Sequence, residues 1–431
     1  MGHVTTKAAY LALQERLDKM PIGAPANRFL FEILAELFSE EEARVAAAVP
    51  MGLTSARRIA ANADMDLAQA REVIDRLVEK GLLADLPRSN GSVSYFLNPT
   101  MVGFFEFTMM RVRTDIDQQR VGKLFHEYLR NDPERAFFKA VAEGETFFAR
   151  PLVHEDVLEA DVYSEVLDYE KASQIIEEGG QWAEAMCYCR HVKTHTGEAC
   201  DYPRDFCLSF GQGANYLIRR GFAQAVSKEH ALEVLHEARE RGMVQMGDNV
   251  KNQPHYMCNC CPCCCEMLAG LREFPGPTPV VTSNYVAVIE DENCLGCGKC
   301  ATACPVNAIE MHAAKPTASR PTRKKAAVVD ADRCLGCGVC RRSCTHDALS
   351  LHRIGQRVHT PENMMEKMLL QAVEHGKLQN FLFADPGKVS HRMLGAVLGA
   401  ILNLSPAKRL LAQKQIKSKF VNALLSVAPK P

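Results

Sequence analysis

The chain has no run of eighteen apolar residues, so no helix is expected to span a bilayer. It also lacks net charge: 51 Lys and Arg face 52 Asp and Glu, and a net −1 supplies no global field for nucleic acid or membrane surfaces. Its first residues, MGHVTTKAAYLALQERLDKM, lack the apolar core of a secretory signal, which makes a cytoplasmic location the expectation. A glycine-rich nucleotide fingerprint is missing too. Gly211-x-Gly213 follows a cysteine loop rather than a strand and has no third glycine, so neither NAD nor flavin is expected. Residues 1–100 contain no cysteine. The remainder holds eighteen, and in a chain without an export signal these read as metal ligands rather than disulfides.

Eight of them form CLGCGKCATACP, starting at Cys294, and CLGCGVCRRSCT, starting at Cys334. Each half is C-x2-C-x2-C-x3-C, the run that wraps a [4Fe–4S] cube. Three close thiolates occupy three corners, and the tight turns between them call for Gly296, Gly298, Gly336 and Gly338. The fourth cysteine lies too far along to close the same cube easily. Zinc prefers two separated C-x2-C pairs, so zinc knuckles are the weaker reading. The stretch closely resembles two-cluster bacterial ferredoxins, in which the fourth cysteine ligates the other cluster. That resemblance implies one [4Fe–4S] cluster on Cys294, Cys297, Cys300 and Cys344, and a second on Cys334, Cys337, Cys340 and Cys304. Thr345 stands where the first run has Pro305, a change of turn packing that removes no ligand.

Ten cysteines precede this region. Cys187, Cys189, Cys200 and Cys207 lie in MCYCRHVKTHTGEACDYPRDFC, enough thiolates for one cube or one tetrahedral zinc. Arg190, His191, Lys193 and His195 surround them, and cations near a cluster favour its reduced state. Residues 211–226 read as one helix, and a second starts at Ser227 and stops at Gly242. Together they return the chain to MCNCCPCCC, with Cys258, Cys260, Cys261, Cys263, Cys264 and Cys265. Side chains alternate along an extended chain, so some of these thiols should face a cluster and others not. The run can complete a cluster with residues 187–207, hold its own cube with a borrowed ligand, or carry a non-cubane centre. Cys264 and Cys265 read as simply buried. At least one cluster beyond the ferredoxin pair is expected, because ten unliganded thiols would be an oxidation hazard.

The N-terminal part has the order helix, turn, helix, hairpin. Residues 28–48 read as helix, with Phe29, Ile33, Leu34 and Leu37 on one face. Thr54 or Ser55 caps a short helix through Ala63, residues 67–80 form the next, Gly81 ends it, and Asn90-Gly91 turns a hairpin. This segment resembles winged helix-turn-helix domains. Its second helix balances Arg71, Arg76 and Lys80 against Glu72, Asp75 and Glu79, and residues 1–100 carry eleven cations against thirteen acids. DNA-binding surfaces need a basic footprint, so protein docking or dimerisation is the preferred role and nucleic acid is not an expected partner. Residues 104–113, FFEFTMMRVR, read as a core helix.

Together these features resemble a family of multi-cluster dicluster-ferredoxin proteins of anaerobic microbes. The resemblance, over residues 28–352, implies an electron carrier or iron–sulfur partner of a larger redox system. The expected architecture is α+β and multi-domain. A winged-helix-like domain spans 1–150, a helical Cys-rich iron–sulfur domain 151–282, a two-cluster ferredoxin domain 283–355 and a helical basic extension 356–431. Two basic stretches are candidate contacts. KPTASRPTRKKAA at 315–327 has five cations and no acid and suits an acidic redox partner. From Gly387 onward, Lys388, Arg392, Lys408, Arg409, Lys414, Lys417, Lys419 and Lys430 face no acid, which suits a peripheral contact at the inner face of the membrane. Two further functions fit the sequence. One is a redox-responsive transcription regulator; the other is a subunit with a catalytic non-cubane cluster at Cys258–Cys265. The electron-transfer reading requires no acid, base or nucleophile.

Overall fold

Short local signals divide the N-terminal region into helices. In a computed structural model, which describes residues 8–273, 282–317, 319–355, 357–383, 385 and 387–402, α1 covers Ala8–Asp18, α2 Arg28–Leu37 and α3 Glu40–Ala47. The single helix expected over 28–48 is broken at Phe38 and Ser39. There Ser39 and Glu42 form a reciprocal capping box, satisfying two backbone N–H groups that a continuous helix would bond internally. Ser55 caps α4 (Ala56–Asn62), Asp66 caps α5 (Leu67–Glu79), and Gly81 at φ +75° leads into the hairpin of β1 (Leu83–Pro87) and β2 (Val93–Leu97). The stretch read as a core helix over 104–113 is shorter. Val102 sits at φ +50°, and only α6 (Phe105–Met109) is regular before α7 (Gln118–Arg130) and α8 (Ala136–Ala142).

The stretch expected as a helical Cys-rich domain over 151–282 is built on a sheet. The sheet has six strands in the order β3-β7-β8-β5-β4-β6, every pair antiparallel. The strands and helices alternate along the chain: β3 (Ala149–Pro151), α9 (Ala160–Ser164), α10 (Ala172–Glu177), β4 (Trp182–Ala185), α11 (Tyr188–Thr196), β5 (Cys207–Phe210), α12 (Gly211–Arg219), β6 (Gln224–Val226), α13 (Lys228–Glu240), β7 (Val244–Asp248), β8 (Tyr256–Cys260) and α14 (Glu266–Glu273). The expected helix over 211–226 ends at Arg219, and Gly221 at φ +67° turns the chain into β6. The chain therefore returns to the first cysteine group along β7 and β8, with Cys258 opposite Cys207.

The last described region pairs β9 (Tyr285–Ile289) with β12 (Leu349–Arg353) and β10 (Ile309–Ala313) with β11 (Lys325–Val329). Between the strands lie α15 (Lys299–Ala303) and α16 (Val339–Arg342), each following a left-handed glycine, Gly298 or Gly338. Three helices close the described chain: α17 (Met364–Glu374), α18 (Leu378–Leu382) and α19 (Val389–Leu402). The basic residues Lys408, Arg409, Lys414, Lys417, Lys419 and Lys430 lie outside the described residues. No helix among the described residues is long and apolar enough to cross a membrane.

The hairpin is tied to the sheet domain by charge. Asp85, 4% exposed, accepts from Arg219 Nη1 at 2.5 Å and Arg220 Nε at 2.9 Å. Burial works against the Asp85 carboxylate, but the hydrogen bonds from Arg220 and Arg219 outweigh it and hold the carboxyl below its ordinary range. A depressed carboxyl contributes stability above its unfolded pKa and loses it as pH falls through the folded value. Asp85→Asn is expected to cost about 1–2 kcal/mol at neutral pH, after discounting solvent screening at the half-exposed arginines. Denaturant unfolding under anaerobic conditions should show the gap to wild type narrowing only below the ordinary carboxylate range.

Candidate metal centres

The ferredoxin-like region builds two cradles from its glycine turns. Cys294, Cys297, Cys300 and Cys344 line one cavity, with Gly296 and Gly298 beside them. Cys304, Cys334, Cys337 and Cys340 line the other. Each cradle thus takes three thiols from one run and the fourth from the other, the exchange implied by the ferredoxin resemblance. The turns are close-fitting. A Cβ on Gly296 (φ +76°) would stand 2.1 Å from the Lys325 carbonyl oxygen, and one on Gly336 (φ +67°) 2.1 Å from that of Tyr285. Backbone amides already point at sulfur: Ala308 N lies 3.1 Å from Cys304 Sγ and Ala287 N 3.5 Å from Cys334 Sγ. Such N–H···S bonds are among the terms that set a cluster's potential.

The two cradles differ in exposure. Cys297 and Leu295 are exposed at the first, whereas Cys337, Cys340 and Leu335 are buried at the second. Burial pushes the Cys337 thiol up to about 12, so ligation to a cation is what would hold it as thiolate there. We call the two cradles outer and inner. Thr345, opposite the Pro305 position, is exposed.

A family model of a 4Fe-4S dicluster domain matches residues 293–348.

No curated protein and no solved structure matches the chain. The cavities and the match agree, and the thiols, glycine turns and amide donors suit [4Fe–4S] binding in the dicluster domain. Its eight cysteines would be the ligands.

The sheet domain adjoins the inner cradle. Arg272, near the end of α14, donates from Nη1 to the Pro305 carbonyl at 2.8 Å, and His154 N donates to the Cys337 carbonyl at 2.9 Å. Cys265 immediately precedes α14. At 1.5 Å per residue, α14 carries the chain roughly 10 Å from Cys265 to Arg272, whose side chain reaches the edge of the inner cradle.

The ten cysteines of the sheet domain do not divide as the sequence groups them. Cys200, Cys261, Cys263 and Cys264 form a tetrad whose sulfur atoms all lie within 4.8 Å of one another. Cys200 is therefore parted from Cys187, Cys189 and Cys207, and Cys264, read as an inert buried thiol, is one of the four. The reason is local. Cys261–Cys264 occupy the turn between β8 and α14, and Cys200 lies on the loop after α11, opposite that turn. Cys263 is exposed while Cys261 and Cys264 are buried, so the tetrad opens towards solvent. A hydrogen bond from Cys264, assisted by the charge of Arg190, lowers the Cys261 thiol to about 5. Four thiols this close, with one favoured as thiolate, could hold a metal ion or another cluster.

Of the four cations expected around the first cysteine group, Arg190 alone is turned to the thiols. His191 Nδ1 bonds the Met109 carbonyl at 2.7 Å and its other nitrogen meets His195 at 3.2 Å; burial lowers both histidines. Lys193 pairs with Glu198. The sequence reading also missed Glu106, which accepts from Gly103 N at 2.9 Å. Burial raises its carboxyl to about 7, and the charge of Cys258 adds to the shift. Its place in FFEFTMMR, a lone acid in an apolar run, was the available signal.

The basic loop at 315–327 is only partly a surface. Arg323 is buried, bonded to Asp291 and to the carbonyl of Lys315, and Arg320 Nε donates to the Asn293 carbonyl. Lys315, Lys324 and Lys325 stay exposed.

Proposed function

We propose that the chain is an electron-transfer protein, passing single electrons through several [4Fe–4S] clusters between redox partners. The observation that carries this reading is the pair of four-thiol cradles, the outer one exposed at Cys297 and the inner one buried against the Cys-rich sheet domain. When bound, each cluster would take up and release one electron. The protein's part is to hold the thiolates, exclude water from Cys337 and Cys340, and direct the amides of Ala308 and Ala287 at sulfur. Lys315, Lys324 and Lys325 would meet an acidic redox partner beside the outer cradle.

We read residues 28–97 as a winged helix serving as a docking module rather than a DNA reader. Arg76 pairs with Glu41 at 2.7 Å, Lys80 with Glu42 at 2.7 Å, and Arg58 with Asp385, so these cations are engaged within the chain. A gel-shift assay on promoter DNA, run oxidised and reduced, should show no retarded band.

The electron-transfer reading is tested by a redox titration of the full anaerobic chain followed by EPR. Reversible one-electron reduction at low potential is expected. Cys297→Ser, which removes a soft corner of the outer cradle, should perturb one cluster signal and leave the others. Clusters that cannot be reversibly reduced would make them structural and the proposal wrong.

A further inference from the structure

We infer that the six remaining cysteines, Cys187, Cys189, Cys207, Cys258, Cys260 and Cys265, form a second and separate iron–sulfur site on the opposite face of the sheet from the tetrad, with Arg190 between the two. The inference deepens the electron-transfer reading and rests on it.

The separation follows from strand geometry. Successive side chains of a strand point to opposite faces. Along β8, Cys258 and Cys260 join the apolar cluster that contains Cys265, Cys189 and Tyr188. Met257 and Cys261 face the other way, into the cluster with Leu208, Cys264 and Cys200. Cys207 lies opposite Cys258 on β5 and alternates with Leu208, so it too faces away from the tetrad. Cys187 and Cys189 enter from the start of α11, and Cys265 from the start of α14.

The six thiols, together the ring, are near enough to interact along a line from Cys187 through Cys189, Cys265, Cys260 and Cys258 to Cys207, and strand register sets Cys207 beside Cys258. A single tetrahedral ion takes four ligands at most, so six thiols converging in one place suit a polynuclear centre instead. The chain also supplies donors to it. Cys187 and Cys265 stand immediately before α11 and α14, so the free N–H groups of two helix starts lie beside these thiols.

Arg190 provides the independent observation. It is 2% exposed, and only Nη1 has a protein partner, the Asn259 carbonyl at 3.1 Å. Its Nε and Nη2 have no oxygen or nitrogen acceptor among the described residues, and the group they approach is the Cys261 thiol. Buried guanidinium N–H groups are costly to leave unpaired. The groups close to this guanidinium are the thiols of Cys187 and Cys260 from the ring and Cys261 from the tetrad. Anionic centres on both sides would supply the missing acceptors, and one cation would stabilise the reduced form of both.

Three full-length variants, prepared and reconstituted anaerobically with iron and sulfide, test this. Wild type should hold about sixteen or more irons, four for each of three cubes and at least four in the ring. Cys189→Ser with Cys265→Ser should remove the ring's irons and leave the dicluster EPR and Mössbauer signals. Cys200→Ser with Cys263→Ser should remove the tetrad's irons and leave the ring's. The dicluster signal reports that each variant has folded. Arg190→Gln, which keeps all thiols, should lower the midpoint potentials of both sheet-domain centres and spare the dicluster pair. If either serine pair emptied both sites, or if wild type left the six ring thiols free to react with a thiol reagent, the inference would be overturned. A potential shift at one centre alone would exclude Arg190 as the shared cation. Reversible reduction of the dicluster signals tests the electron-transfer reading itself, so the two failures can be told apart.

Discussion

Gly336→Ala is expected to empty the inner cradle and leave the outer one populated. The new methyl would stand 2.1 Å from the Tyr285 carbonyl oxygen and 2.4 Å from Ser283 Oγ, in a backbone conformation at φ +67°. The left-handed backbone alone costs about 1–2 kcal/mol for a non-glycine residue. Forcing backbone atoms apart adds about 1–3 kcal/mol more. Both costs fall on the turn between Cys334 and Cys337, so ligand geometry suffers before the rest of the fold. Gly296→Ala should produce the mirror outcome at the outer cradle, where its methyl meets the Lys325 carbonyl oxygen at 2.1 Å. EPR of the reduced variants checks both, each losing the signal of its own cluster. Two variants with identical losses would mean that the clusters do not occupy separate cradles.

The second large effect is on stability. Lys367 of α17 and Asp248 of β7 form an ion pair with side chains 4% and 0% exposed. Lys367 also donates to the Phe148 carbonyl at 3.3 Å, which fixes α17 against the edge of the sheet. Replacing Lys367 by methionine leaves a buried carboxylate with His255 N donating at 3.2 Å and the His255 ring at 3.8 Å. Breaking such a pair from one side typically costs about 3–5 kcal/mol. Adding Asp248→Asn should recover much of that loss, because the pair is then replaced rather than broken. Denaturant melts of the two variants decide the matter. Equal destabilisation by the single and the double variant would show that α17 is held by other contacts.

Much of the site was legible because cluster ligation leaves a rigid spacing. The C-x2-C-x2-C-x3-C runs and their glycines follow from local chemistry, the ferredoxin resemblance implies the exchanged fourth ligands, and the cavities gather the same eight thiols. The N-terminal helices were legible for a similar reason: Ser55, Asp66 and Gly81 are caps whose effect is confined to a turn. The break at Ser39 was missed because apolar periodicity continues across it, although the Ser39–Glu42 capping pattern was present to be read.

The sheet was not legible. Its strands are three to five residues long, too short for a hydrophobic pattern to mark them as strands, and two of them, β5 and β8, carry cysteines that read as ligands first. Without the sheet, the run at 258–265 could be expected to complete a cluster with residues 187–207, but which thiols meet could not be assigned, so Cys200 stayed with Cys187, and Cys264 and Cys265 were set aside. Pairing of Cys207 with Cys258 is a contact between residues fifty-one apart, fixed by the hydrogen-bond register of β5 and β8. Alternation along residues 257–261 was the usable clue, and it separates thiols between two faces rather than between ligands and bystanders.

The most direct measurement is iron and acid-labile sulfide per full-length chain after anaerobic purification, with free thiols titrated on the same sample. The account predicts clearly more than the roughly eight irons that two cubes require, matched by sulfide, and few reactive thiols. A folded chain with about eight irons and ten titratable thiols, or with zinc in place of the additional iron, would contradict it.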